Sequence, residues 1–228
     1  MQDIKIKDES PHCSKHVLPL VVGGLTITCE DNMELMSRYP DNYFDLAIVD
    51  PPYGIDYAKR KQKNKNSKIK YTPKNWDINR PTPEYFNELK RVSKQQIIWG
   101  GNYFLDILGN SKGMICWDKC QPEGLDQAMC EFAWTSIDKT AKIVKTSIQQ
   151  IQFTRTHPTE KPTKLYKWLL KMYATDGMKI LDTHLGSGSI AIACHDYGFE
   201  LTACELDPEY FEKAKKRIIN HVAQQSLF

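Results

Sequence analysis

The sequence lacks three features that would assign it to a specialised class of protein. No stretch reaches the roughly eighteen apolar residues that a membrane-spanning helix needs. The seven cysteines are odd in number and show no paired spacing, which argues against a disulfide framework and predicts a reducing, cytoplasmic location. The first five residues contain no apolar segment, so we expect no secretory signal. Neither sign of charge dominates, because 31 Lys+Arg face 28 Asp+Glu, and the net charge of +3 by itself predicts no partner.

The composition is that of a globular protein, with 41% hydrophobic and 26% charged residues in 228. We therefore predict one domain over residues 1–228. Apolar runs such as Phe44–Val49 alternate with segments of helical spacing, and this alternation is typical of an α/β fold with a parallel sheet. We predict no metal site, since His12, Cys13 and His16 fit a polar segment better than a ligand set.

The final third of the sequence has the order of a nucleotide-binding unit. A strand at 178–181 leads into Gly186-x-Gly188, a helix to Tyr197, and a strand that ends at Glu205. Glycines let the backbone approach a ligand closely, and a carboxylate after the next strand accepts hydrogen bonds from ribose hydroxyls. Asp207 and Pro208 predict the start of the last helix. We interpret this unit as a cofactor site.

The carboxylate of Asp182 bears on which cofactor binds. Because it stands at the beginning of the glycine-rich turn, it is badly placed for a pyrophosphate and well placed for a cation. S-Adenosylmethionine carries an ammonium and a sulfonium but no phosphate. Asp182 therefore favours S-adenosylmethionine over a dinucleotide such as NAD.

A second candidate site is the tetrad Asp50-Pro51-Pro52-Tyr53, which follows the buried strand 44–49. Open α/β sheets bind ligands at the carboxyl ends of their strands. The prolines fix the backbone, so that the Asp50 carboxylate and the Pro51 carbonyl are held as two acceptors, and Tyr53 adds an aromatic face. This combination suits a planar base that carries an exocyclic amine. The alternative is a turn that merely terminates the strand.

Together these motifs resemble the amino-group DNA methyltransferases of the β class. Residues 50–53 resemble motif IV of that family, 182–189 motif I, 205–210 motif II, and 157–162 with the following helix motif X. Asp31 stands where the family has an acid that contacts the cofactor adenine. The resemblance implies a Rossmann-like methyltransferase fold: a mostly parallel sheet with helices on both faces and a circularly permuted motif order. Two further motifs, Trp99-Gly100-Gly101-Asn102 and Trp117-Asp118-Lys119, add a likeness to small phage-type members.

The resemblance also implies site residues and a reaction. Methyl transfer from S-adenosylmethionine to the N6 amine of a flipped adenine in double-stranded DNA is expected, with the catalytic residues Asp50, Pro51, Pro52 and Tyr53. The cofactor-binding residues implied are Asp31, Lys161, Pro162, Asp182, Thr183, His184, Gly186, Gly188, Ser189, Glu205, Leu206 and Asp207. Thr183-His184 and Ser189 depart from the usual motif I. The alternatives are N4-cytosine methylation, RNA methylation or an inactive DNA-binding module.

One strongly basic run follows the tetrad by five residues. Residues 59–74 contain eight cations and no acid, which predicts a mobile DNA-contacting loop within 59–80. The candidate phosphate contacts are Lys59, Arg60, Lys61, Lys63, Lys65, Lys68, Lys70 and Lys74. We take residues 119–155 as a short target-recognition insert. The oligomeric state stays open, a homodimer included, as does any restriction partner.

Overall fold

Nine strands form one mixed sheet within residues 17–55, 77, 79–124, 128–148 and 159–225, which a computed structural model describes. The strands are β1 (Leu20–Val22), β2 (Leu25–Thr28), β3 (Phe44–Val49), β4 (Ser93–Trp99), β5 (Gly113–Asp118), β6 (Cys130–Thr135), β7 (Lys142–Lys145), β8 (Lys179–Asp182) and β9 (Glu200–Cys204). The helices are α1 (Asn32–Ser37), α2 (Pro83–Val92), α3 (Leu105–Leu108), α4 (Thr163–Tyr173), α5 (Ser189–Tyr197) and α6 (Pro208–Gln225), with a 3₁₀ turn at Gly101–Tyr103.

The central strands of the sheet are parallel, whereas antiparallel pairs occur towards both of its edges. In the order β1-β2-β9-β8-β3-β4-β6-β5-β7, the five strands from β2 to β4 run in parallel. β1 pairs with β2 antiparallel, and β6 runs antiparallel to both β4 and β5. The strands that precede the glycine-rich turn and the proline tetrad, β8 and β3, are direct neighbours. The topology therefore brings together two motifs that lie about 130 residues apart in sequence.

Alternating side chains of the central strands pack against helices on both faces. In β3, Leu46 and Ile48 belong to one apolar cluster, with residues of α4, α5 and α6, whereas Ala47 and Val49 belong to the other, with α1 and α2. All four side chains are almost fully buried. This burial on both faces explains why the strand is apolar at nearly every position. It confirms the predicted α/β fold with a mostly parallel sheet.

Two local expectations differ from the structure, and one strand was not expected. The strand predicted at 143–153 ends at Lys145, and residues from 149 to 158 lie outside the described part. Met172 was expected to face inward in α4 but is 37% exposed, because the helix turns Tyr166, Leu170 and Tyr173 to the core instead. The sequence pattern did not predict β1. The described part of 119–155 contributes β6 and β7 to the sheet.

The helices that the structure describes include none that is long and apolar enough to span a membrane.

Candidate active site

Four neighbouring parallel strands each end at a carboxylate. Asp31 follows β2, Glu205 follows β9, Asp182 ends β8, and Asp50 follows β3. Since these strands are adjacent and point the same way, the four acids lie along one edge of the sheet. This edge is where ligands bind in open α/β folds. The structure thus joins the predicted cofactor acids and the predicted catalytic acid into one row.

The glycine-rich turn between β8 and α5 is closed by Glu205. Its carboxylate accepts hydrogen bonds from the backbone N–H of Gly186 at 2.8 Å and of Asp207 at 3.0 Å. Gly186 and Gly188 have φ angles of 55° and 76°, in the left-handed region that favours glycine. Leu206, next to Glu205, is 51% exposed. A carboxylate beside an exposed apolar surface suits a ribose and the face of a purine.

Asp182 carries a strongly perturbed carboxyl group at this edge. The side chain is buried and accepts a hydrogen bond from the backbone N–H of His184 at 3.0 Å. Burial raises its pKa to about 8, because desolvation disfavours the charged form. A ligand ammonium next to this carboxylate would offset that penalty. The chemistry of Asp182 therefore fits a cationic ligand.

His184 and Thr183, which depart from the usual motif I, form a small hydrogen-bonded cluster. Thr183 Oγ1 lies 2.9 Å from His184 Nδ1 and 2.7 Å from the hydroxyl of Tyr85 in α2. His184 Nε2 lies 3.1 Å from the side-chain amide of Asn32 in α1. Burial lowers the pKa of His184 to about 3, so the ring is neutral at physiological pH. The substituted pair thus links the turn to α1 and α2.

The remaining predicted cofactor residues have structural contacts of their own. Asp31 and Asp207 cap α1 and α6 by accepting backbone N–H groups. Pro162 precedes α4, whereas Ser189 begins α5, is buried, and bonds to Arg217 at 3.0 Å. These contacts fix the ends of the helices around the edge.

The Asp50 carboxylate is held from two sides. The Tyr53 hydroxyl donates to Oδ1 at 2.6 Å, and Lys161 Nζ donates to Oδ2 at 2.5 Å. The Lys161 side chain is only 3% exposed, and its ammonium also lies 3.2 Å from Glu131 Oε2. The sequence resemblance predicted that Lys161 binds the cofactor. In the structure its ammonium instead pairs with Asp50, the predicted catalytic acid. Each carboxylate oxygen has two lone pairs, so Asp50 retains capacity to accept from a ligand.

Tyr53 is fixed through both its backbone and its ring. The Asp77 carboxylate accepts the N–H groups of Tyr53 and Gly54 at 2.7 and 3.1 Å. The ring stacks on Tyr103, with centroids 5.0 Å apart and an interplanar angle of 16°. Gly100, at φ 68°, lies so close to the ring that any side chain there would collide with it. Sequence reasoning had no pattern that would select Asp77 or Tyr103.

Glu131 and Lys119 were likewise missed. Lys119 Nζ lies 2.6 Å from Glu131 Oε1, and Glu131 in turn contacts Lys161. The available signal was an acid inside the otherwise apolar and aromatic strand Cys130–Thr135.

The eight basic residues predicted to contact DNA, Lys59 to Lys74, lie outside the described residues. Before the gap the described residues end at Ile55, two residues after Tyr53. After the gap, the carboxylate of Asp77 accepts a hydrogen bond from the backbone N–H of Tyr53. The described residues that flank this stretch of the chain, Ile55 and Asp77, therefore lie at the candidate active site.

His195, Asp196 and His221 offer three ligand atoms within 4.8 Å of one another, on the side of α5 and α6. Asp196 already pairs with Lys167 at 2.6 Å and with His221 at 2.5 Å. Because these contacts satisfy the carboxylate, we interpret the group as an ion-pair cluster.

Comparison with known proteins identifies similarity to one family of enzymes, the DNA methylases. A family model of DNA methylases, the N6/N4 methyltransferases, matches residues 57–216. A type II methyltransferase of Haemophilus parainfluenzae, M.HpaI, is 32% identical over 62 residues. That alignment covers 27% of this chain, and the chain spans about a fifth of the length of M.HpaI.

Solved structures share the fold at low sequence identity. The complex of M1.HpyAVI with S-adenosylmethionine has a TM-score of 0.59 at 20% identity, over 85% of this chain and 99% of that one. A candidate DNA modification methylase of Thermus thermophilus, also in complex with S-adenosylmethionine, scores 0.56 at 18% identity over 86% and 93%. The cytosine-N4-specific PvuII methyltransferase scores 0.55 at 12% identity over 88% and 92%.

Proposed function

The chain belongs to the N6/N4 family of DNA methylases, and from this premise we propose that it transfers a methyl group from S-adenosylmethionine to the N6 amine of an adenine in DNA. The observation that carries the proposal is the row of four acids at one sheet edge. Asp31, Glu205 and Asp182 surround the glycine-rich turn, and Asp50 stands on the neighbouring strand. A cofactor site and an amine-accepting site are thereby adjacent.

The residues around the turn fit S-adenosylmethionine in charge and shape. Asp182 would pair with the ammonium of the methionine part, Glu205 would accept the ribose hydroxyls, and Leu206 would contact the adenine. When bound, the cofactor supplies an electrophilic methyl group. The protein contributes the binding and orientation that place this methyl group towards Asp50.

The tetrad would prepare the target amine. An exocyclic amine is a poor nucleophile, because its lone pair is delocalised into the ring. Hydrogen bonds from the amine to the Asp50 carboxylate and the Pro51 carbonyl would favour a tetrahedral nitrogen and stabilise the positive charge that develops there. The Asp50 carboxylate is then also in place to take the proton that the methylated amine loses. Tyr53 would stack on the base once Tyr103 makes room.

Adenine is favoured over cytosine by the tetrad itself. The Asp form of motif IV is typical of adenine enzymes in the family that this chain resembles, whereas a Ser form is typical of cytosine enzymes. The amine lies inside the duplex, so the base must flip out at a cost of a few kcal/mol. The fold likeness includes a cytosine-N4-specific enzyme, and fold alone does not choose between the two bases.

Product analysis tests the proposal. The protein is incubated with methyl-labelled S-adenosylmethionine and mixed-sequence duplex DNA, and the DNA is digested to nucleosides. We expect the label in N6-methyldeoxyadenosine. Label in N4-methyldeoxycytidine would replace adenine by cytosine in the proposal. Label in RNA but not in DNA, in a parallel incubation, would contradict a DNA substrate.

We further propose that the basic segment contacts DNA phosphates. The described residues that flank the segment, Gly54 and Asp77, lie beside Tyr53, and this supports a role of the segment at the site. Replacing all eight Lys and Arg residues of 59–74 by serine should reduce the slope of log affinity against log salt, since each phosphate contact contributes about 0.9 to it. Electrophoretic or fluorescence titrations of DNA at several salt concentrations measure this slope.

A matched control replaces Lys94 and Lys112, which lie at the amino-terminal ends of β4 and β5, on the opposite edge of the sheet. The control should keep the original slope. A slope that stays unchanged in the eightfold variant would contradict the proposed contacts.

A further inference from the structure

Four side chains of alternating charge form a row that leads away from the active site, here called the charge row. Asp50 contacts Lys161 at 2.5 Å, Lys161 contacts Glu131 at 3.2 Å, and Glu131 contacts Lys119 at 2.6 Å. Their side chains are at most 25% exposed. They come from four separate parts of the chain: the end of β3, the segment before α4, strand β6 and the end of β5. Asp50 and Lys161 alone would already form an ion pair, so Glu131 and Lys119 are not needed merely to neutralise Asp50.

The outer half of the charge row acts on Asp50 through Lys161. An ammonium that donates to a carboxylate withdraws electron density from it, which weakens the carboxylate as an acceptor for another donor. Glu131 faces the same ammonium and shares its charge. Lys119 in turn shares the charge of Glu131 and also lies 5.5 Å from the ring centre of Trp117. The strength of Asp50 as an acceptor thus depends on groups that do not touch it.

We propose that Glu131 and Lys119 are positioning residues that set the acceptor strength of the catalytic Asp50 by holding and partly neutralising Lys161. This proposal rests on the proposed methyl transfer, in which Asp50 accepts the amine. Glu131 increases the acceptor strength of Asp50, and Lys119 moderates that increase.

The electrostatic directions agree with this geometry. Burial raises the pKa of Asp50, Lys161 lowers it, and Glu131 raises it again. Removing the charge of Glu131 therefore lowers the pKa of Asp50, and removing that of Lys119 raises it. Within the part of the chain that the structure describes, the other titratable groups that interact with Asp50 include Tyr53, Tyr85, Tyr166 and Asp182. These stay the same in both variants, and the two substitutions remove charges of opposite sign, that of Glu131 from the residue in contact with Lys161 and that of Lys119 from the next residue of the charge row.

The test compares Glu131→Gln with Lys119→Met. At saturating S-adenosylmethionine and DNA, the acid limb of the kcat–pH profile should move to lower pH in the first variant and to higher pH in the second. The plateau kcat of Glu131→Gln should fall about 3- to 10-fold, because a carboxylate with a lowered pKa is a weaker acceptor. KM for the cofactor should stay within about twofold, because neither residue lies at the glycine-rich turn.

A second measurement does not depend on turnover. In the cofactor-free protein with ¹³C-labelled aspartate carboxyl groups, the resonance that disappears in Asp50→Asn belongs to Asp50. The pH midpoint of the titration of this resonance should be lower in Glu131→Gln and higher in Lys119→Met than in the wild-type protein. Glu212→Gln and Lys112→Met, which remove single charges from exposed pairs, should leave it unchanged.

The outcomes separate this inference from the proposed function. If the wild-type protein methylates DNA and neither midpoint moves, or both move the same way, the role of Glu131 and Lys119 is wrong while the function stands. If the wild-type protein methylates no DNA but the carboxyl resonance shifts in opposite directions, the charge row acts as proposed and the methyl transfer is wrong.

Discussion

Asp50→Ala is expected to lower kcat by about a hundredfold to a thousandfold while leaving the affinity for S-adenosylmethionine unchanged. The substitution removes one of the two proposed acceptors of the target amine, and the loss of one pre-organised hydrogen bond in an active site typically has this size. The cofactor residues lie on neighbouring strands and keep their contacts. Single-turnover methylation of duplex DNA measures the rate, and calorimetry measures the cofactor affinity.

The fold should survive this change, since Lys161 remains paired with Glu131 at 3.2 Å. Asp50→Asn serves as a graded control, because the amide oxygen still accepts a hydrogen bond without the charge. Its rate should lie between those of the wild-type protein and Asp50→Ala. Equal rates for all three proteins would remove Asp50 from the mechanism.

Asp182→Asn is expected to weaken S-adenosylmethionine binding about 10- to 100-fold and at the same time to raise the melting temperature at neutral pH. A hydrogen bond to a charged group contributes about 1.5–3 kcal/mol, which gives the loss of affinity. The stabilisation follows from the raised pKa of about 8. A carboxyl whose pKa is raised by folding, here from 3.8 to about 8, favours the folded state below the lower value, and that contribution is lost progressively as the pH rises to the upper one, so most of it is gone at neutral pH. Asparagine does not titrate, so the stability of the variant does not fall with pH in this way and its melting temperature at neutral pH is higher.

The same carboxyl predicts proton release when the cofactor binds. At pH 7 the free site holds Asp182 mostly protonated, and an ammonium beside it favours the ionised form. Calorimetric binding enthalpies in buffers of different ionisation enthalpy should show release of about one proton at pH 7. Asp182→Asn should show none. Uptake of a proton by the wild-type protein, or the same release by the variant, would contradict the assignment of Asp182 to the ammonium.

Asp45→Asn is a matched control on the same sheet. Asp45 lies in β3 at the opposite edge, and its hydrogen bond with Lys94 lowers its pKa. A lowered pKa contributes stability above the unfolded value, so this variant should be slightly less stable at neutral pH and bind the cofactor normally.

The elements around the cofactor could be predicted from sequence because their signals are local. The Asp207-Pro208 start of α6 and the glycine at 198 that ends α5, at φ 73°, each depend on a few neighbouring residues. The buried strand β3 was recognisable from its continuous apolar run. The resemblance to a family then supplied the order of the motifs, which no local pattern gives.

The missed residues are those whose roles depend on contacts between distant segments. Glu131 reaches Lys161 only because β6 pairs with β4, two strands away from β3. Tyr103 reaches Tyr53 through the tight turn at Gly100. Met172 was assigned to the wrong face because α4 is apolar over a wide arc, and packing rather than periodicity decides which part of it is buried.

The most direct test of the account is base-resolved sequencing of DNA from a host without DNA methylation that expresses either the wild-type protein or Asp50→Ala. The account predicts N6-methyladenine at a recurring short sequence with the wild-type protein and unmodified DNA with Asp50→Ala. N4-methylcytosine at a recurring sequence, or unmodified DNA in the presence of folded wild-type protein that binds S-adenosylmethionine, would contradict it.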